Sequence, residues 1–251
     1  MARQNSLLKI DGTIGGMTFT RTKDGLLVKE KVPVTKNKFL TSPKYQRTRE
    51  NAQEFGMAGT SGKMLRDAIR SFMQNASDSR VTSRLTQVMS YILKEDKISL
   101  RGSRNVATGI KTPEGKEFLR NFNFNIDAIM GSILFKPVKL DPATGLITIN
   151  NLQPINEIAG PQGATHVTIK SAFVSLDFST GKAYVEYSVP VNLKLDATVN
   201  NVQLEPDEVP TITPDTTAMH LLALEFYQEM NNVQYSLKNG AYNCLEIIEI
   251  L

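Results

Sequence analysis

The sequence predicts an α+β fold: an N-terminal β-ribbon, a helical region, and a C-terminal antiparallel sandwich of immunoglobulin-like type. Three observations predict it. The first forty residues alternate apolar and polar side chains between glycine turns, residues from about 42 to 122 carry apolar positions at helical spacing, and strand alternation takes over beyond about 124. The divisions are placed at residues 1–41, 42–122 and 123–251. With 251 residues and 41% hydrophobic content, the chain is long enough to bury a core as one large or two small domains, and two are read here.

In the ribbon, Leu7, Leu8 and Ile10 lead into Asp11-Gly12 and Gly15-Gly16, and Met17-Thr18-Phe19-Thr20 then alternates as a half-exposed strand does. Lys23-Asp24-Gly25 is the next turn, Leu26-Leu27-Val28 the next strand, and Pro33 in the basic segment 29–38 is unsuited to a central strand. So small a ribbon has too little apolar surface to stand alone and is expected to dock on its own helices or on a neighbouring subunit.

A helix is predicted from Ser42-Pro43, with serine as cap and proline in the first turn. Tyr45, Ala52, Phe55, Leu65, Ala68, Ile69, Phe72 and Met73 form its apolar stripe, interrupted by Gly56, Gly59 and Gly62. Each glycine inside a helix costs about 1 kcal/mol, which predicts either a break between 56 and 62 or a closely approaching backbone. Val81, Leu85, Val88, Met89, Ile92 and Leu93 give a second helix over about 79–94, capped by Asp78 or Ser79, and a short third follows Thr112-Pro113 using Phe118 and Leu119.

Seven strands are predicted in the last region, at residues 133–135, 146–149, 167–178, 183–195, 221–227, 233–237 and 242–250. Turns fall at 141–145, 179–182 and 238–240, and the proline-rich stretch 205–217 reads as a long exposed acidic loop. Seven short strands in this length suggest the sandwich, although no cysteine pair or tryptophan supports a true immunoglobulin domain.

Charge is divided along the chain. Residues 1–120 hold 23 Lys and Arg against 11 Asp and Glu, whereas residues 121–251 hold 6 against 14. The sign changes close to where helical periodicity ends, so the two regions are expected to present unlike surfaces to different partners. Lys63, Arg66 and Arg70 share a helix face by their spacing, and Arg80 and Arg84 lie close by in sequence. These five residues are the candidate contacts to nucleic-acid phosphates or to an acidic partner, diluted by Glu50, Glu54, Asp67 and Asp78. Glu205, Asp207, Glu208 and Asp215 form the candidate acidic partner surface. Complementary potential of this kind sets register and association rate.

No residue pattern points to catalysis, and a non-enzymatic role with no cofactor is expected. The stretch Gly56-Met57-Ala58-Gly59-Thr60-Ser61-Gly62-Lys63-Met64 has five residues where a phosphate loop needs four, and Met64 stands where Ser or Thr would hold magnesium. His166 and His220 are isolated in predicted strands, where solvent exposure or a local hydrogen bond is expected rather than metal ligation, and the acidic loop lacks the regular spacing of a calcium site. Cys244, the single cysteine, sits in an apolar strand and is expected to be buried and inert. No apolar run approaches the ~20 residues of a membrane span, and the first residues show no signal-peptide core, which predicts cytoplasmic synthesis with release inside a particle still open.

Three segments carry a resemblance. Residues 11–19, Lys23-Asp24-Gly25-Leu26-Leu27-Val28-Lys29-Glu30-Lys31 and Arg47-Thr48-Arg49-Glu50-Asn51-Ala52-Gln53-Glu54-Phe55-Gly56 resemble uncharacterised proteins of Bacteroidota genomes and their phages, which open on a glycine-glycine hairpin, continue into an arginine-rich helix and end in a variable β domain. The resemblance covers about residues 8–70 and implies a bacterial or phage origin, with no catalytic residues to transfer. The expected function is that of a self-assembling structural component of a phage or phage-like particle, a virion protein whose partners are copies of itself or other particle proteins. The alternative is an intracellular nucleic-acid-binding protein using the basic half.

Overall fold

The computed structural model describes residues 2–3, 10–23, 25–31, 34–237 and 240–251. Leu7, Leu8, Asp24, Pro33, Lys238 and Asn239, used above to read the ribbon and two turns, lie outside the described residues. The fold is mixed α+β with antiparallel sheets. It divides into two compact units, Met1–Arg49 and Glu50–Leu251.

The first unit is a four-stranded antiparallel sheet followed by a short helix. Its strands are β1 (Ala2–Arg3), β2 (Gly12–Ile14), β3 (Met17–Thr22) and β4 (Gly25–Glu30), in the order β1-β4-β3-β2. Gly15 and Gly16 form the two-residue turn between Ile14 and Met17, both with positive φ (57° and 82°), the geometry that a tight hairpin demands and glycine supplies. Helix α1 (Lys36–Thr41) is capped by the Thr35 hydroxyl, which accepts from the Lys38 amide. The Arg49 guanidinium then donates to the carbonyls of Phe39 and Ser42 at 2.6 and 2.9 Å.

In the second unit, α2 (Gln46–Ala68), whose first residues belong to the first unit, runs unbroken through all three glycines. Neither expectation for that stretch holds: the helix does not break, and a Cβ on Gly56 or Gly59 would meet nothing within 4 Å. Gly62 instead lies on the buried line Ala58, Ser61, Gly62, Leu65, where it faces the side chains of Leu85 and Met89, while Phe55 is 67% exposed. The break comes at Ile69 (φ −104°, ψ 25°), before α3 (Arg70–Met73). Helix α4 (Val81–Lys94) buries the apolar face read from its sequence. Its cap residue is Arg80, and Asp78 supports the entry by accepting from the Arg80 amide.

Backbones approach closely elsewhere. Helices α5 (Val106–Gly109) and α6 (Pro113–Leu119) follow α4, and a Cβ on Gly109 would stand 2.0 Å from the Ile92 carbonyl oxygen, one on Gly115 2.0 Å from that of Gly109. Only glycine permits such stacking of short helices. Thr112 caps α6 as its sequence indicates, accepting from the Gly115 amide.

After α7 (Met130–Ile133) come β5 (Lys139–Leu140), β6 (Ile147–Leu152), α8 (Pro154–Glu157), β7 (His166–Leu176), β8 (Ala183–Tyr187), β9 (Val191–Lys194), β10 (Asn200–Leu204), β11 (Thr217–Met230), β12 (Val233–Ser236) and β13 (Cys244–Ile250). The strand expected at 133–135 is the end of α7 and one isolated bridge, Leu134 to Ile158. The strand expected over 183–195 divides into β8 and β9, and β10, a polar segment, was not anticipated. The large sheet runs β12-β11-β7-β8, with β13 beside β11 and β9 beside β7; the small sheet runs β10-β6-β5.

The large sheet is covered on both faces. Ala172, Val174, Met219, Leu221, Ala223, Leu245 and Ile247 belong to one apolar cluster with Leu65, Ile69, Leu85, Met89 and Ile92 of the helices. Val167, Ile169, Leu222, Leu224 and Phe226, on the opposite face, cluster with Ile147, Ile149, Val202 and Leu204 of the small sheet. The boundary expected at 122/123 is therefore corrected: the helices up to Leu119 and the strands beyond share one core, and the division falls at 49/50. Helical spacing and strand alternation change at residue 123 because secondary structure changes there, within a single packed unit.

Candidate functional site

Two surfaces and one cleft are the candidates. The first surface is the sheet of the Met1–Arg49 unit. Cross-strand register places Ile14 opposite Met17, Phe19 opposite Val28, and Arg21 opposite Leu26. Opposed residues point to the same side, so Ile14, Met17, Phe19, Leu26 and Val28 form one largely apolar face, with Arg21 and Glu30 also on it, while Thr13, Thr18, Thr20, Leu27 and Lys29 lie on the other. Among residues 10–49 none whose burial is described is buried, and Ile14 and Met17 are 60% and 53% exposed. The helix α1 that follows makes no more than marginal contact with these strands. The unit thus leaves its own apolar face without a core. A hollow of about 560 Å³ opens on it beside Gly16, Met17, Val28 and Lys31.

This unit also carries most of the basic surplus. Residues 1–49 hold eleven Lys and Arg against three Asp and Glu, a net charge of +8, and the remaining 202 residues hold 18 against 22, a net of −4. The sign itself changes inside the second unit, where residues 50–120 hold 12 Lys and Arg against 8 Asp and Glu and residues 121–251 hold 6 against 14.

The five candidate basic residues of the helices are arranged less favourably. Lys63 pairs with Asp67 at 3.5 Å, and the Arg66 side chain donates back to the Gly62 carbonyl of its own helix. Arg70 stands beyond the break at Ile69 and is separated from the Lys63–Arg66 helix. Arg84 is drawn inward: it pairs with Asp78, donates to the carbonyls of Asn123 (2.9 Å) and Phe124 (3.2 Å), and lies over the Phe122 ring. Burial alone would raise the Asp78 pKa, but the Ile126 amide, the Arg84 guanidinium and the Arg80 amide outweigh it and hold the carboxyl below its ordinary value. Arg84 fixes the turn after Phe122; Arg70 and Arg80 are exposed.

The second surface is the acidic loop. Glu205, Asp207, Glu208 and Asp215 are all exposed, and Asp215 pairs with Lys111 at 3.3 Å. The loop itself is strapped down, with Pro206 and Pro210 buried, Pro206 bridged to Ser188, and the Ser175 hydroxyl donating to the Thr211 carbonyl at 3.0 Å.

The cleft, about 720 Å³, lies between α2, α5 and the β7–β8 turn, lined by Gly56, Thr60, Met64, Thr108, Lys111 and Asp177 among others. Asp177 organises the turn: its carboxylate accepts from the hydroxyls of Ser179 and Thr180, each at 2.6 Å, and from the Ser179 amide at 2.7 Å. Those bonds outweigh its partial burial and lower its pKa to about 2. Asn105 caps α5 and is itself held by Asp96, whose carboxylate also accepts from the Ile98 and Ser99 amides. In this cleft Asp177 is spent on backbone and hydroxyl groups and Asp215 on Lys111, so the cleft offers shape and mixed polarity. The phosphate-loop-like stretch forms one wall as interior helix, its amides occupied by helical hydrogen bonds and unable to cradle a phosphate.

Both histidines are buried rather than solvent-facing, and His166 takes the other course expected of it, a local hydrogen bond. His166 Nδ1 lies 2.9 Å from the Thr165 hydroxyl and its Nε2 3.4 Å from Glu229, while His220 stacks on Phe173 with ring centroids 4.1 Å apart and leaves Nε2 without a partner. Cys244 is fully buried against Met130, and burial pushes its thiol up to about 12. Sequence reasoning missed the ion pair of Lys170 and Glu225, 2.5 Å apart, with Glu225 only 2% exposed and further bonded to Tyr227 and Asn75. Glu225 follows Leu224 in an otherwise apolar run, a signal of a buried charge that was legible. Among the described residues no group of three or more His, Cys, Asp and Glu is placed to hold a metal ion, and no helix is long and apolar enough to cross a membrane.

Comparison with family models, curated proteins and solved structures finds no match to this chain.

Proposed function

We propose that this protein is a non-enzymatic structural protein that assembles with itself, its basic N-terminal unit docking on the acidic unit of another copy. The observation that carries the reading is the apolar face of Ile14, Met17, Phe19, Leu26 and Val28, which its own unit leaves uncovered. An open sheet with one apolar side gains stability when that side is covered, at about 25 cal/mol per Å² of apolar surface removed from water. The net charges of +8 and −4 make the second unit of another copy a complementary partner. Contacts between unlike surfaces of identical chains propagate into rings or filaments, which suits a component of a phage or phage-like particle and agrees with the resemblance over residues 8–70. The immunoglobulin-like reading of the second unit belongs to this proposal: the small sheet packed on the large one supplies the sandwich, and the helices occupy the sheet's other face.

Electron microscopy of the purified chain across a salt series tests the reading. Assemblies at low salt that dissociate as salt rises support it; particles of monomer size at every salt and concentration contradict it.

The charge of the first unit favours one alternative, nucleic-acid binding, with eleven Lys and Arg in 49 residues. That reading leaves the apolar face unexplained. It predicts retention of DNA or RNA at low salt by the full chain, lost steeply at moderate salt.

A further inference from the structure

We infer that the receiving surface for the basic unit is the groove between β8 and the strapped loop after β10, and that its occupant is the apolar face of the Met1–Arg49 unit of a second copy. This inference rests on the self-assembly reading and names its missing half. Tyr184 and Glu186 project from β8 on the face opposite the helices, because they pair with Ser175 and Phe173 whereas Val185 and Tyr187 pack against the helical cluster. The segment 208–216 crosses that face, and together they line a groove of about 460 Å³ with Val209, Pro210, Thr211 and Thr216.

The groove is built in advance of any partner. The Ser175–Thr211 hydrogen bond, the Ser188–Pro206 bridge and buried Pro210 hold the loop, and the Thr213 amide donates to the Thr216 hydroxyl at 2.9 Å while the Thr216 amide donates to the Thr213 carbonyl at 3.0 Å. Two of its lining side chains are exposed and apolar: Tyr184 (66%) and Val209 (51%). Glu186 and Glu208 line the groove, with Glu205 and Asp207 shortly before Glu208 in sequence, and among the described residues none of the four is in an ion pair. A patch of Tyr184, Val209 and Pro210 bordered by Glu186 and Glu208 matches in polarity the sheet face of Met17, Phe19, Leu26 and Val28. It matches in sign the Arg21 on that face, which also holds one acid, Glu30, and the net charge of +8 of the unit as a whole.

The test uses two full-length variants. In the first, the groove is reversed by Glu186→Lys with Glu208→Lys; in the second, the arm is altered by Phe19→Ser with Arg21→Glu. All four positions are exposed or half-buried, and circular dichroism spectra like that of the unaltered chain confirm folding. Sedimentation velocity at low salt is expected to show each variant associating at least roughly tenfold more weakly than the parent. Mixed together, they are expected to form a discrete one-to-one complex that extends no further, since each contributes one intact half. A groove variant that assembles like the parent while the arm variant does not overturns the groove assignment and leaves the self-assembly reading standing. Two monomeric variants that do not pair when mixed also overturn it. A parent chain that stays monomeric overturns the reading and the groove together.

Discussion

The carbonyl oxygen of Ile92 lies 2.0 Å from the point where a Cβ on Gly109 would stand. The last turn of α4 and the helix α5 therefore touch backbone to backbone, and the contact is fixed by an atom that Gly109 lacks. Gly109→Ala is expected to destabilise the folded chain by roughly 3 kcal/mol, since either helix must move to admit the methyl group. Gly59→Ala, in the interior of α2 with open space above it, is expected to stabilise by about 0.5–1 kcal/mol. Urea unfolding of the two variants checks the opposite signs.

Buried Glu225 of β11 and half-buried Lys170 of the neighbouring strand β7 form an ion pair within the large sheet. Glu225→Leu strands the ammonium beneath Phe72, whose ring lies 4.7 Å from the Lys170 Nζ, and is expected to cost about 3 kcal/mol or more. The double variant Glu225→Leu with Lys170→Met removes both charges and is expected to recover most of that loss. Thermal unfolding of the single and double variants measures the coupling.

His220 is stacked on Phe173, and burial lowers its pKa below 6.5, offset in part by the Pro142 backbone, Glu249 and Asp141. The unfolded chain therefore binds this proton more readily than the folded one. The stability that neutral His220 permits is present above about pH 6.5 and is lost as pH falls from there toward the depressed folded value. His220→Phe is expected to flatten the stability profile as pH falls below about 6.5, read by denaturant midpoints at each pH; a slope unchanged from the parent contradicts the account.

Cys244 sits against Met130 with its thiol raised to about 12. Reaction with a disulfide reagent is expected to be undetectable in the native chain and stoichiometric in denaturant. Labelling of the native protein within minutes at neutral pH contradicts the packing described for β13.

What was legible in the sequence follows physical lines. The face of α4 was, because Val81, Leu85, Met89, Ile92 and Leu93 recur at helical spacing and are buried on one side only. The existence of β7, β11 and β13 was legible, but their placement was not: helices cover one face and the small sheet the other, so these strands read as continuous apolar runs and carry no record of which neighbour takes which face. The tight approach of helices was sought at Gly56, Gly59 and Gly62 and found at Gly109 and Gly115, because a glycine in sequence does not reveal whether space or a carbonyl lies above it. The Asn231-Asn232 turn between β11 and β12, both residues at positive φ, lacked the glycine signal that marked Gly15-Gly16. Of the candidate surfaces, charge was legible and commitment was not: Arg84 looked like its neighbours and is drawn inward to Asp78 and two carbonyls. The uncovered face of the first unit required register, which pairs Phe19 with Val28 and gathers five apolar side chains on one side.

Equilibrium sedimentation of the full chain and of Phe19→Ser, at about 0.05 M and 0.5 M salt, tests that uncovered face most directly. Self-association of the parent that weakens with salt, and is reduced at least about tenfold by Phe19→Ser at low salt, is the predicted result. A parent that is monomeric at both salts, or a variant that associates as the parent does, contradicts the account.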